Sequence, residues 1–170
     1  MNHTGKGFTL LELLVVLGVM GILMFASYPS IMNALASREL ESSARDIQAS
    51  MQTAKFQAVS TKLNHRLRFD NATGPWTFVI EREVTSGTWT SMSRYLAKSI
   101  SPMLVVTLVL PDVPAARTVV FDSVGMVSNF DTTKNTITLQ SPKLKLRGQP
   151  DLRTIVFYNG GSVKYIKSSS

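Results

Sequence analysis

From Leu13 to Ser37 the chain carries no charged residue, and the stretch is dense in Leu, Val, Ile and Met. About 20 apolar residues at a 1.5 Å rise cross a bilayer core of ~30 Å, so this run predicts a transmembrane helix. Gly18, Gly21 and Pro29 interrupt it. Membrane helices tolerate such residues because neighbours or waters satisfy the freed backbone groups, and a kink or local melting is expected near Pro29. Beyond Pro29 the pattern turns one-sided. Ile31, Leu35, Leu40, Ala44, Ile47, Met51, Ala54 and Ala58 recur mostly three or four apart, with Arg38, Glu41, Arg45, Gln48, Gln52 and Lys55 mainly between them. That is the period of an amphipathic helix with one face to bury. Glu41 and Arg45 form an i, i+4 pair on the polar face, which reads as solvated. One helix from about Thr9 to Thr61 follows, a rod of ~80 Å at that rise.

After Asn64 the helical period gives way to short β-type runs: His65 to Phe69, Trp76 to Glu83, Met103 to Leu110, Thr118 to Phe121, Thr136 to Leu139, Thr154 to Tyr158 and Val163 to Ile166. Turn residues separate them at 71–75, 86–87, 111–114, 131–135 and 159–161. Asn159-Gly160-Gly161 between two alternating runs is a hairpin signal, because Asn and Gly reach positive φ cheaply. The fold class expected is α+β: a long N-terminal helix, transmembrane over 8–29 and amphipathic over 30–62, packed on an antiparallel β head over 63–167. Ser168 to Ser170 read as a disordered tail.

The junction before the helix is informative. A secretory signal places its small-residue cleavage site after the apolar segment, whereas here Gly5-Lys6-Gly7 lies before it, so the apolar helix is retained. His3 and Lys6 put the amino terminus on the cytoplasmic side by the positive-inside tendency and the head on the other. Glu12 is the lone charge in the first turns of that helix, where an unpaired ion costs roughly 2.5 to 3.5 kcal/mol or more, so a specific partner is expected.

Gly7-Phe8-Thr9-Leu10-Leu11-Glu12 resembles the processing site of type IV pilins and type II secretion pseudopilins. The resemblance implies a leader at 1–7, cleavage between Gly7 and Phe8 by an inner-membrane prepilin peptidase, and N-methylation of Phe8. It also implies that Glu12 meets the amino terminus of a neighbouring subunit, an attraction that is strong in an apolar surround.

With the leader removed, the remaining length suits one membrane helix and one domain, with no room for a second catalytic domain. The chain has no cysteine, which excludes disulfides, cysteine zinc sites and thiol chemistry. Its histidines are His3 and His65, too few for a histidine metal site, and no P-loop, dinucleotide fingerprint or calcium loop occurs. The carboxylate pairs Glu81 with Glu83 and Asp122 with Asp131 read as ordinary solvated positions. No enzymatic function, catalytic residue, metal or cofactor is expected.

Net charge is +7, and the last segment is basic: Lys134, Lys143, Lys145, Arg147, Arg153, Lys164 and Lys167 stand against Asp151. Lys143, Lys145, Arg147 and Lys164 are candidate DNA contacts, with Tyr158 and Tyr165 able to stack on single-strand bases. Lysines that block edge-to-edge strand pairing produce the same pattern.

Further segments resemble the GspH/FimT-like minor pilins and pseudopilins: Arg38-Glu39-Leu40-Glu41 followed by Ala44-Arg45 and Ala54 to Ala58 in the helix, Gly74-Pro75-Trp76, Val120 to Gly125, and Ile155 to Val163. Family members often end that last turn in Gly-Arg, and those implicated in DNA uptake carry further arginines there, whereas this chain has Gly161-Ser162. The resemblance implies a subunit of an inner-membrane assembly with its head in the periplasm. Its partners would be other pseudopilins or pilins, the prepilin peptidase and the assembly platform, in either a secretion pseudopilus or a type IV pilus.

Overall fold

A computed structural model of the protein describes residues 8–111, 117–128 and 130–170. The chain divides into two units, Met1–Leu35 and Ala36–Ser170. Helix α1, Leu10–Thr61, supplies the described first unit almost entirely and the first element of the second. It is helical through Pro29, without the local melting expected there. Every residue from Phe8 to Ile31 is exposed. This apolar, unburied helix is long and apolar enough to cross a membrane.

Within the second unit α1 buries Ala36, Leu40, Ala44, Ile47, Met51, Ala54 and Ala58, all seven on the predicted stripe or in its period. The elements that follow are β1 His65–Asp70, β2 Thr77–Thr85, β3 Thr88–Ser91, β4 Lys98–Ser99, β5 Val105–Val109, β6 Thr118–Phe121 and β7 Thr136–Gln140. After these come α2 Pro142–Lys145, β8 Leu152–Phe157 and β9 Val163–Ser168. One sheet has the order β3-β2-β1-β6, with β4 also on β2, and the other the order β5-β7-β8-β9. Every pairing is antiparallel.

The inward residues of both sheets meet the α1 stripe in one core: Leu67, Phe69, Phe78, Ile80, Val119 and Phe121 from the first, Ile137, Leu139, Ile155 and Phe157 from the second. Alternation along β1, β7 and β8 is strict, so period-2 patterning selects the buried face. A long N-terminal helix packed on antiparallel sheets is the α+β architecture expected.

Four details differ from the expectation. β3 and β4 are extra strands; their residues are mostly exposed, so no apolar alternation marks them. α2 forms where Pro142 fits the first helical turn and buried Leu144 anchors it. The tail is not disordered at its start: Ser168 ends β9 paired with Leu152, and the Ser170 amide donates to Asp151 Oδ1 at 2.9 Å. Finally, Glu81 is not solvated but 6% exposed. Beyond Pro111, the turn expected at 111–114 lies outside the described residues.

Candidate functional site

Thr9 precedes the first helical residue, and its Oγ1 accepts the Glu12 N–H at 3.2 Å. Ser/Thr followed three residues later by Glu is a capping-box arrangement, and the acidic group in the first turn complements the helix dipole. Phe8 and Glu12 are both exposed. Gly7 and the rest of the leader lie outside the described residues.

The basic candidates do not form one surface. Lys143, Lys145 and Arg147 are exposed together on α2 and the turn after it. Lys164 is exposed opposite Val156, four residues along β9 from Ser168, or about 13 Å at the rise of a strand. Arg153 is fully buried, its Nη1 donating to the Pro150 and Leu152 carbonyls at 3.1 and 2.9 Å. Its Nε and the Tyr165 Oη are buried without a hydrogen-bond partner among the described residues. Tyr158 is exposed, whereas Tyr165 is half-buried, with the Arg45 guanidinium 5.4 Å from its ring centre. Burial pushes its phenol pKa up.

An ionic cluster on the first sheet escaped the sequence reading. Glu81 receives Arg66 Nε at 2.6 Å on Oε2 and Arg68 Nε at 2.8 Å on Oε1, and Arg68 Nη1 reaches Asp70 at 2.9 Å. Arg66 also lies 4.3 Å from the Trp89 ring centre, a cation–π contact supplied by β3. The Asp70 pKa is lowered, first by the Ala72 N–H and then by Arg68. The signal was present in Arg66-Leu67-Arg68 facing Glu81 by hairpin register, but register is not readable before the pairing is known.

Asp122 and Asp131 each hold a turn. Asp122 Oδ1 accepts the amides of Val124 and Met126 at 3.0 and 2.9 Å, and Asp131 Oδ1 accepts the Thr133 amide and hydroxyl at 2.8 and 2.7 Å. His65 is buried, donates Nδ1–H to Leu63 O at 2.9 Å and leaves Nε2 without a partner among the described residues; burial lowers its pKa. Among the described residues no three His, Cys, Asp or Glu are placed to share a metal ion. A groove of about 300 Å³ between α1 and β2 is lined by Ser50, Thr53, Phe78, Tyr95, Leu96 and Lys98. Lys98 is tied to Asp46 at 2.8 Å, so the groove brings together no acid, base and nucleophile.

The family described as Prokaryotic N-terminal methylation motif matches residues 3–28. No curated protein sequence matches the chain. Among solved structures, the minor pseudopilin EpsH of the Type 2 Secretion System of Vibrio cholerae aligns with a TM-score of 0.58 at 13% identity, covering 76% of this chain and 97% of that one. The type IV minor pilin FimU of Pseudomonas aeruginosa aligns with a TM-score of 0.52 at 17% identity, covering 79% and 97% respectively. The chain thus carries a prokaryotic N-terminal methylation motif, and its fold is like that of the minor pseudopilin EpsH and the type IV minor pilin FimU.

Proposed function

We propose that this protein is a minor pseudopilin, a non-enzymatic structural subunit at or near the tip of a type II secretion pseudopilus. Its helix is held in the inner membrane and its head is in the periplasm. The observation that carries this reading is the methylation motif joined through one unbroken helix to a head with the EpsH fold. The prepilin peptidase processes it between Gly7 and Phe8, and other pseudopilins and the inner-membrane platform receive it. Assembly uses the exposed apolar surface of α1, with Glu12 as the charged register point. Deletion of its gene is the test: secretion should fail while surface pili persist, and the protein should appear in sheared pseudopili of the parent strain. Intact secretion in the deletion strain refutes the proposal.

The likeness to FimU favours one alternative, a FimT-like minor pilin of a type IV pilus. Loss of piliation with normal secretion would establish it. A DNA-uptake role through Lys143, Lys145, Arg147 and Lys164 would further require salt-dependent binding of the protein to single-stranded DNA.

A further inference from the structure

The turn that carries Lys143, Lys145 and Arg147 stands at the end of the head where α1 joins it. β7 runs directly through Gln140 and Ser141 into α2, and Gln140 pairs with Leu152, which pairs with Ser168. One residue along β8, Arg153 Nη2 lies 3.5 Å from Ser37 Oγ. Ser37 follows Ala36, the first buried residue of α1, and the chain upstream of it is the apolar run.

The segment is a built feature. Leu144 is buried, and the amides of Leu144, Lys145, Leu146, Arg147, Gly148 and Gln149 all donate to carbonyls between Ser141 and Lys145. Gly148 closes it at φ +62. This frame holds Leu146 outward at 89% exposure, the most exposed large apolar side chain among the described residues, between exposed Lys145 and Arg147. Lys143 and Lys145 have no carboxylate partner among the described residues. The nearest carboxylate in sequence, Asp151, is turned inward, accepting Gln140 Nε2 at 2.8 Å and the Ser170 amide.

An apolar side chain displayed among cations, in the unit whose first helical residues directly follow the apolar run, matches an interfacial lipid contact. The cations meet phosphodiester groups and the aliphatic tip enters the acyl boundary. We infer that the α2 turn is a docking point for anionic phospholipid headgroups of the membrane that α1 spans. Single-stranded DNA is the poorer fit, since Lys164 stands apart from the α2 turn along β9. The inference rests on the proposed membrane-anchored reading of α1.

The chain has no cysteine, so Gln149→Cys carries a single environment-sensitive fluorophore on an exposed position of the full-length protein. Nanodiscs of phosphatidylcholine alone and of phosphatidylcholine with an equal part of phosphatidylglycerol are compared at low and high salt. The expected result is a blue-shifted emission, quenched by nitroxide-labelled acyl chains, only with phosphatidylglycerol and only at low salt. Each basic residue near an anionic surface is worth about fivefold, so Lys143→Gln with Lys145→Gln and Arg147→Gln should lower the docked-to-free ratio on the order of 100-fold. Leu146→Ala should weaken quenching and leave the salt dependence intact, and Lys164→Gln should change nothing. Equal emission in the two lipid compositions, or a triple variant that behaves as the parent, overturns the inference. So does a response to a single-stranded oligonucleotide without one to phosphatidylglycerol. Failure of the protein to enter either disc is a separate result: it overturns the membrane reading of α1, and the docking inference with it.

Discussion

The carbonyl oxygen of Gly125 occupies the place where a side chain on Gly161 would begin. Both glycines have positive φ, +85 and +68, and the Lys55 stem lies across them while its Nζ donates to Gly160 O at 2.9 Å. The Val127 amide donates to Asn159 O at 2.8 Å, so the β8–β9 hairpin, the turn after β6 and α1 are clasped together. Gly161→Ala combines a left-handed backbone with a clash against backbone. It should destabilise the head by about 2 to 4 kcal/mol. Gly160→Ala meets open space and should shift stability by less than about 0.5 kcal/mol. Urea denaturation in detergent checks the pair, and equal midpoints would refute the clasp.

Glu81 should be the most sensitive carboxylate in the head. Its removal leaves Arg66, 17% exposed at the side chain, without its carboxylate, and takes from Arg68, 33% exposed, one of its two carboxylates, Asp70 remaining. Breaking a buried pair costs roughly 3 to 5 kcal/mol, and the partial exposure of Arg68 brings the expectation for Glu81→Ala to about 3. Glu41→Ala, which breaks an exposed helix pair with Arg45, should leave the unfolding midpoint nearly unmoved. Comparable losses for the two variants would contradict the contrast.

The contrast also marks where the sequence was legible. The α1 stripe from Leu40 onward, the alternation of β1, β7 and β8 and the Asn159-Gly160-Gly161 turn are local patterns that the structure follows. Ile31 and Leu35 of the expected stripe are instead exposed, because the head's core begins at Ala36. Which neighbour covers a charged face is not local. Glu81 reads as a solvated position because β3, whose Trp89 lies over its partner Arg66, has no apolar alternation to announce it. Arg153 was counted with the basic surface for the same reason: only the packing of β8 under α1 shows that it is buried. Lys164 stands apart from α2 because the hairpin register carries it along the strand.

Acid should weaken the fold in a window that belongs to His65. Its native pKa is depressed by burial, so the unfolded chain binds more protons between that value and the ordinary 6.5. Stability is therefore fully present above 6.5 and declines as pH falls toward the lowered native pKa, below which this group adds no further loss. Asp70 and Asp131 have lowered values and act only further down, losing their contribution below the ordinary 3.8. Thermal unfolding between about pH 7.5 and 5.5 should lose its slope in His65→Gln if the histidine is the cause. An unchanged slope would assign it elsewhere.

Processing is expected at Gly7. A peptidase acting at the membrane face requires a small residue before the scissile bond, so Gly7→Leu should remain uncut and keep the whole leader from Met1 onward. In the parent, mass spectrometry should find a chain that begins at Phe8 and is heavier by one methyl group. An intact Met1 in membranes that contain the peptidase would refute the assignment.

Glu12 should serve assembly and not folding. Thr9 caps the helix through the Glu12 backbone N–H, and Glu12→Ala retains that N–H. Removing a charge from the apolar run should ease insertion by a few kcal/mol, so the variant should be processed at Gly7 and accumulate in the membrane. The head begins its core at Ala36 and makes no use of the Glu12 side chain, so its stability should match the parent. The loss falls between subunits, where the amino terminus of Phe8 in a neighbouring subunit would have no counter-charge in an apolar surround. A tip subunit has no subunit above it, so one of its two charged ends is free of that demand and a partial defect fits a tip position. Photo-crosslinking from α1 to co-expressed pseudopilins reads this directly. Reduced yield for Glu12→Ala at unchanged protein level is expected, and equal yields would show that the ion pair does not drive incorporation.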